Sequence, residues 1–154
     1  MDRAKQHAAN ELAEAISSEE DARERELRAV FLRRGQGKFR KALLNAYERR
    51  CAVTGCTMED VLEAAHIIPY KGDDTNRCDS GLLLRADIHT LFDLGLLWIN
   101  RKMKVEIANV LQHTEYGTLQ GKAMCLPVDT ALRPHPKHLK HHAQIASELR
   151  AAKC

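Results

Sequence analysis

Three polar side chains in the middle of the chain have types and spacing that suit metal-assisted chemistry. His89 and Asp93 are four residues apart in a segment with helical periodicity, and positions i and i+4 of a helix project from one face. An imidazole and a carboxylate at this spacing can share a divalent cation and leave coordination positions open for phosphate and water. His66 could stand across the gap and take a proton from that water. These residues predict a hydrolytic site between His66 and Asp93.

Two short strands and a helix must position these groups. Residues 61–68 predict a strand, residues 71–81 a polar loop, and residues 82–84 a brief apolar strand. A helix with Asp87 as its N-cap should follow and stop at Gly95. Strand, loop, strand and helix in this order predict a small ββα unit around one cation.

The flanking segments predict further helices and a second hairpin. Residues 2–33 contain neither Gly nor Pro and are rich in Ala, Glu, Arg and Leu, which predicts a helical extension. A second helix should cover residues 38–49, and a hairpin should join residues 96–99 to 104–107. The chain should end in a helix from about Pro136, so the fold class is α+β.

Long motifs in this central region resemble the HNH endonuclease superfamily. The run LEAAHIIPY is followed by GLLLRADIHTLFDLGLL. More narrowly, the chain is similar to a bacterial branch in which RxGQxxFR and CAVTGC precede these motifs. In this chain those upstream pieces lie at residues 33–40 and 51–56. The resemblance covers roughly residues 33–107.

The resemblance implies a ββα-metal core and a division of the chain. The helical extension occupies residues 1–33, and the nuclease domain occupies residues 34–154. Within that domain, residues 51–107 are the core motif and residues 108–154 are a tail that ends in the C-terminal helix. The extension is expected to pack on the domain, on a second copy of the chain or on a sensor partner.

The family's functional roles fall on particular residues of this chain. The resemblance makes His66 the general base, His89 a metal ligand and Asp93 a second ligand. The family's middle Asn, which holds the loop that positions the base, is replaced by Ser80. Serine has one hydroxyl and no amide carbonyl, so it reproduces only part of that role. Asn76, four residues earlier, is the candidate that would compensate.

The residue directly before the catalytic His is a second departure from the family pattern. Many members have a metal-binding Asp or His there, whereas this chain has Ala65, which cannot ligate. Glu63 should lie on the same face of the strand as Ala65. It is therefore a supporting candidate that would reach the metal or brace His66.

The implied activity is hydrolysis of DNA phosphodiester bonds with one divalent ion, in restriction or phage defence. The mixed nitrogen and oxygen ligands suit Mg, Mn, Ni or Zn. The alternative is a catalytically weakened DNA-binding or regulatory module, which Ser80 favours. Basic and aromatic side chains of the family segments are the candidates for contact with nucleic acid: Arg34, Lys38, Arg40, Tyr70 and Lys71.

The composition and the remaining residues limit which membrane segments, disulfides and further metal sites are expected. The net charge of +3 is mild, and no apolar run approaches the ~20 residues of a membrane span. The five cysteines do not resemble a disulfide framework, which favours a reducing cytoplasm. A structural zinc at Cys51 and Cys56 is not expected, because no second pair follows. His138 and His142 have metal-ligand spacing, but a solvated basic face is the favoured interpretation.

Overall fold

The computed structural model describes residues 10–11, 19–27, 29, 37–69 and 76–153. Contacts divide the chain into two units, Met1–Arg33 and Arg34–Cys154. The described residues of the first unit are helical and exposed, as the composition predicts. Within the described ranges, no helix is long and apolar enough to cross a membrane.

The first helix of the second unit, α1, runs from Gly37 to Ala46. Its apolar face is formed by Phe39, Leu43 and Leu44, which are buried, as the spacing predicts. The helix ends before Arg49, the predicted end, because the chain turns sharply after Tyr47. Glu48 and Arg49 there have positive φ angles of 52° and 58°, a conformation that helices do not contain.

Two antiparallel strands follow, β1 (Leu62–His66) and β2 (Gly81–Arg85), with a register from Leu62↔Arg85 to His66↔Gly81. Both are buried along most of their length. Helix α1 packs on the face that carries His66 and Gly81. A Cβ atom at Gly81 would lie only 2.5 Å from Cζ of Phe39, so the close approach of α1 to this hairpin requires glycine.

Helix α2 (Ala86–Asp93) begins directly after β2 and packs on the opposite face of the hairpin. The prediction that Asp87 caps it was wrong, because the N-cap is Arg85. The Asp87 carboxylate instead accepts hydrogen bonds from the Arg85 guanidinium at 2.7 and 2.9 Å and from the Tyr116 hydroxyl at 2.9 Å. The helix is terminated as predicted at Gly95, whose φ is 74°.

A second hairpin and a long helix complete the domain. Strands β3 (Leu97–Ile99) and β4 (Val105–Ile107) pair antiparallel, and helix α3 (Pro136–Ala151) packs on β3. The hairpin and the start of α3 lie where the sequence predicts them. The described elements therefore form a mixed α+β domain.

The start of α3 is fixed to the loop that precedes β2. The backbone N–H of His135 and the ring Nδ1 of His138 both donate to the carbonyl oxygen of Asp79, at 2.9 and 3.2 Å. Asp79 lies in a short 3₁₀ turn, Cys78–Ser80, immediately before Gly81. The C-terminal helix therefore anchors the loop between the two strands that carry the candidate site.

The predicted solvated face of α3 was wrong for His142. This residue is buried, and its ring stacks on Phe92 with 3.6 Å between centroids and an interplanar angle of 4°. Its Nε2 donates to the carbonyl oxygen of Phe92 at 2.9 Å. Burial lowers the pKa of His142 below its usual value, although the hydrogen bond to Phe92 raises it. His142 is thus a packing residue between α3 and α2.

Candidate active site

His89 and Glu63 meet where α2 crosses β1. The Nδ1 of His89 lies 2.8 Å from Oε1 of Glu63, and the two side chains are only 16% and 11% exposed. A carboxylate can only accept, so Nδ1 carries a proton, and Nε2 is the ring nitrogen that remains to face Asp93 or a cation. This arrangement, in which a carboxylate fixes the tautomer and the ring orientation, is typical of histidines that bind metals.

Asp93 lies on the other side of the same imidazole ring. Its Oδ2 is 3.2 Å from Nε2 of His89, and its side chain is 59% exposed. The i, i+4 spacing therefore brings these two groups together as predicted. Burial lowers the pKa of His89, but the hydrogen bonds and charges of Asp93 and Glu63 outweigh it and leave that pKa raised.

The pair formed by His89 and Asp93 fits a divalent cation. Ligands held at ~2.0–2.2 Å from one ion, at angles from octahedral to tetrahedral, lie ~2.8–3.6 Å apart, and the observed separation is 3.2 Å. Within the described ranges there is no group of three or more His, Cys, Asp or Glu that could hold a metal. His89 and Asp93 would therefore supply one nitrogen and one oxygen ligand, and the other coordination positions of the cation would be left for water and phosphate.

Glu63 contacts His89, a role that the sequence did not reveal. The sequence assigned it either to the metal or to His66. In the structure it faces Nδ1, whereas Asp93 faces Nε2. The available signal was its position on the face of β1 that carries Ala65, which is the face that α2 covers.

His66 ends β1 and belongs to a second group of contacts. Its Nε2 lies 2.8 Å from Oδ1 of Asn76, and its ring stacks on Phe39 of α1 at 4.5 Å between centroids. Because the amide oxygen accepts, Nε2 carries the proton in this contact. Phe39 is a contact that sequence reasoning missed, since its spacing predicts only a core position.

Ser80 contributes its backbone to the site. It is buried, its carbonyl oxygen accepts from the N–H of Ile67 at 3.0 Å, and its own N–H donates to Arg77 at 2.9 Å. The bond with Ile67 extends the β1–β2 pairing beyond His66, and the bond to the Arg77 carbonyl belongs to the 3₁₀ turn before Gly81. The side-chain amide that contacts His66 belongs to Asn76, not to position 80.

Two basic residues of α1 were expected to contact nucleic acid. Lys38 is exposed. The Arg40 guanidinium, however, donates to the backbone carbonyls of Leu62 at 3.1 Å and Glu59 at 2.8 Å. These bonds join α1 to the start of β1, and contact with nucleic acid stays a prediction for both residues. The other expected contacts lie outside the described residues: Arg34, Tyr70 and Lys71.

Cys51 and Cys56 flank the turn before β1. Cys51 is buried, and its Sγ accepts from the backbone N–H groups of Thr54 at 3.4 Å and Arg85 at 3.3 Å. The turn closes through the Cys51 N–H, which donates to the Cys56 carbonyl at 2.9 Å. The Cys51 sulfur thus ties the turn to the junction between β2 and α2.

Comparisons with known proteins give one family match and a similar solved structure. Residues 51–100 match the family model for HNH endonucleases, and this segment contains His66, His89 and Asp93. Among solved structures, the chain is similar to a modification-dependent TagI restriction endonuclease, with 22% identity and a TM-score of 0.49. The match covers 70% of this chain and 36% of that one, so the chain spans about a third of its length. No curated protein matches the chain.

Proposed function

We propose that this chain, whose residues 51–100 belong to the HNH endonuclease family, hydrolyses DNA phosphodiester bonds with one divalent metal ion. The observation that carries the proposal is the imidazole of His89. Glu63 holds its Nδ1, and its Nε2 lies beside the exposed carboxylate of Asp93. A hydrogen-bonded histidine with a neighbouring i+4 carboxylate is a ligand pair for a cation such as Mg, Mn, Ni or Zn.

The two groups of contacts divide the chemistry between them. A cation held by His89 and Asp93 would polarise the phosphate and stabilise the leaving oxygen. His66 takes the proton of the attacking water, and Asn76 holds the proton of its Nε2. Phe39 limits rotation of the His66 ring by stacking against it. His66 is the last residue of β1 and lies on the face opposite Glu63, so the phosphate would have to bind at the end of this strand to meet both the base and a cation.

The test is cleavage of plasmid DNA by the wild type and by His66→Ala, with each of the four cations and with a chelator. The matched control is His113→Ala, which removes an exposed histidine outside the site. We expect the wild type and His113→Ala to nick DNA only with a cation, and His66→Ala to lose activity by roughly 10²–10⁴-fold. Cleavage in the chelator, or equal cleavage by His66→Ala, would overturn the proposal.

The second candidate function is a catalytically weakened DNA-binding or regulatory module, which Ser80 favours. Ser80→Asn restores the family residue at a buried position, and Ser80→Ala controls for changes in folding. Strong activation by Ser80→Asn would indicate a weakened nuclease. Inactivity of every form, together with retained DNA binding, would favour the module.

We place the activity in restriction or phage defence, with the helical extension as the element that docks to a second copy or to a sensor. Its described residues are exposed, and Leu27 has 69% of its surface accessible. A mass measurement in solution tests the assembly. A monomeric mass at all concentrations would exclude self-association through the extension.

A further inference from the structure

A cavity of about 470 Å³ lies between the β3–β4 hairpin and α3. Its walls are mostly apolar and include Trp98, Met103, Leu139 and Ala143. A volume of this size is within the range of sites that enclose a small organic group. The cavity does not include any of the residues discussed above as base or ligands.

The mouth of this cavity is positively charged. Arg101, Lys137 and Lys140 line it and are exposed, and no carboxylate is among its lining residues. Lys137 and Lys140 are three residues apart on α3, so they extend from one side of the helix. An apolar interior with a cationic rim complements a ligand that has a flat apolar body and attached anionic groups.

The aromatic wall is suited to a flat ligand. Trp98 is half-buried, and the guanidinium of Arg150 stacks on its ring at 3.7 Å from the centroid. Arg150 is not among the lining residues of the cavity, whereas Trp98 is. One face of the indole is therefore covered by Arg150, and the side chain also contributes aromatic surface to the wall of the cavity.

The cavity is also joined to the candidate active site through α3. His135 and His138 hold the Asp79 carbonyl two residues before Gly81, which pairs with His66. Lys137, between the two histidines in sequence, lines the cavity. The start of α3 therefore contacts the loop before β2 through His135 and His138 and lines the cavity through Lys137.

We propose that this cavity receives one unstacked base of the DNA strand, while the cations at its mouth hold the flanking phosphates. This inference deepens the proposed nuclease function and rests on it. The site would take a base that is already single-stranded, or one extruded from the duplex, because a paired base is held between its stacked neighbours and cannot enter a concave site.

The chain offers a direct probe, because Trp98 is its only tryptophan. The fluorescence of Trp98 is measured while the His66→Ala protein is titrated with a short oligothymidylate in chelator, so that cleavage does not contribute. We expect quenching by the single strand at lower concentration than by its paired duplex. No change in Trp98 fluorescence, or an equal response to the duplex, would overturn the proposal.

Two pairs of variants locate the binding. Ala143→Leu fills the cavity, whereas Ala151→Leu makes the same change at an exposed position of the same helix. We expect Ala143→Leu to weaken binding of the oligonucleotide by roughly tenfold or more, and Ala151→Leu to leave it unchanged. Lys140→Ala should reduce the slope of log affinity against log salt concentration by about 0.7. Lys104 is exposed but does not line the cavity, so Lys104→Ala should leave this slope unchanged.

The outcomes separate this inference from the proposed function. If the wild type cuts DNA and Ala143→Leu binds the oligonucleotide as tightly as Ala151→Leu does, the cavity proposal is overturned and the proposed nuclease function is retained. If the cavity binds DNA and no cation supports cleavage, the nuclease fails and the binding site remains. Quenching by polyglutamate and not by the oligonucleotide would overturn the proposal in favour of an acidic protein partner. Thermal melting of each variant excludes misfolding as the cause.

Discussion

Replacing Glu63 with Gln tests how the chain prepares His89 for a cation. Gln keeps an oxygen that can accept the Nδ1–H of His89, now 2.8 Å from the carboxylate, but it removes the negative charge. Hydrogen bonds to charged groups contribute ~1.5–3 kcal/mol and neutral ones ~0.5–1.5 kcal/mol. The difference, about 1–1.5 kcal/mol, corresponds to an affinity for the cation that is weaker by about tenfold.

The pH dependence of this loss has a defined sign. A cation binds neutral imidazole, so affinity in the wild type should fall as the pH is lowered through the raised pKa of His89. Glu63→Gln removes one of the causes that raise this pKa, so its affinity should begin to fall at a lower pH. The difference in cation affinity between the wild type and Glu63→Gln should therefore become smaller at acidic pH.

Isothermal titration calorimetry with Mn or Zn measures both effects. The matched control is Glu59→Gln, which removes a carboxylate that forms an ion pair with Arg49 on the surface and should change cation affinity little. Wild-type affinity in Glu63→Gln at every pH would refute the role assigned to Glu63. If Glu59→Gln weakens cation affinity as much as Glu63→Gln does, the effect comes from the net charge of the protein and not from the contact with His89.

Three further predictions concern the second group of contacts and the packing around the site. Asn76→Ala removes the acceptor of the His66 Nε2–H and should lower kcat by about tenfold or more, which steady-state cleavage assays measure; an unchanged kcat would contradict it. Gly81→Ala places a methyl group against Phe39 and should cost about 1–3 kcal/mol in the free energy of unfolding, measured by urea denaturation; unchanged stability would contradict it. His142 has a lowered pKa, so the stability it contributes is present above its unfolded pKa of about 6.5 and is lost as the pH falls through the lower folded pKa. Thermal melting against pH should show this loss in the wild type, and an equal loss in His142→Phe would contradict the assignment.

Local patterns predicted most of the elements in the second unit. The apolar spacing of Phe39, Leu43 and Leu44 gave α1, and the break at Gly95 gave the end of α2. Such features depend on neighbours within one or two turns of the chain, which a single sequence contains. The i, i+4 pairing of His89 and Asp93 is of this kind.

The predictions were wrong or incomplete where contacts with other parts of the chain determine the role of a residue. Asp87 has the composition of an N-cap, but Tyr116 and the adjacent Arg85 engage its carboxylate. His142 belongs to a histidine-rich stretch that predicts a solvated face, and its burial depends on Phe92, fifty residues earlier. The role of Glu63 required knowing which helix covers which face of β1. None of these partners can be identified from local spacing.

The link between α3 and the Asp79 carbonyl has a consequence for the order in which the protein is completed. The loop that presents Asn76 to His66 is anchored by His135 and His138, which a ribosome adds well after all the proposed base and ligand residues. A nascent chain that stops short of His135 would contain every such residue and still have no anchor for the loop. We therefore expect cleavage competence to arrive late in synthesis, after the anchoring helix has emerged and docked.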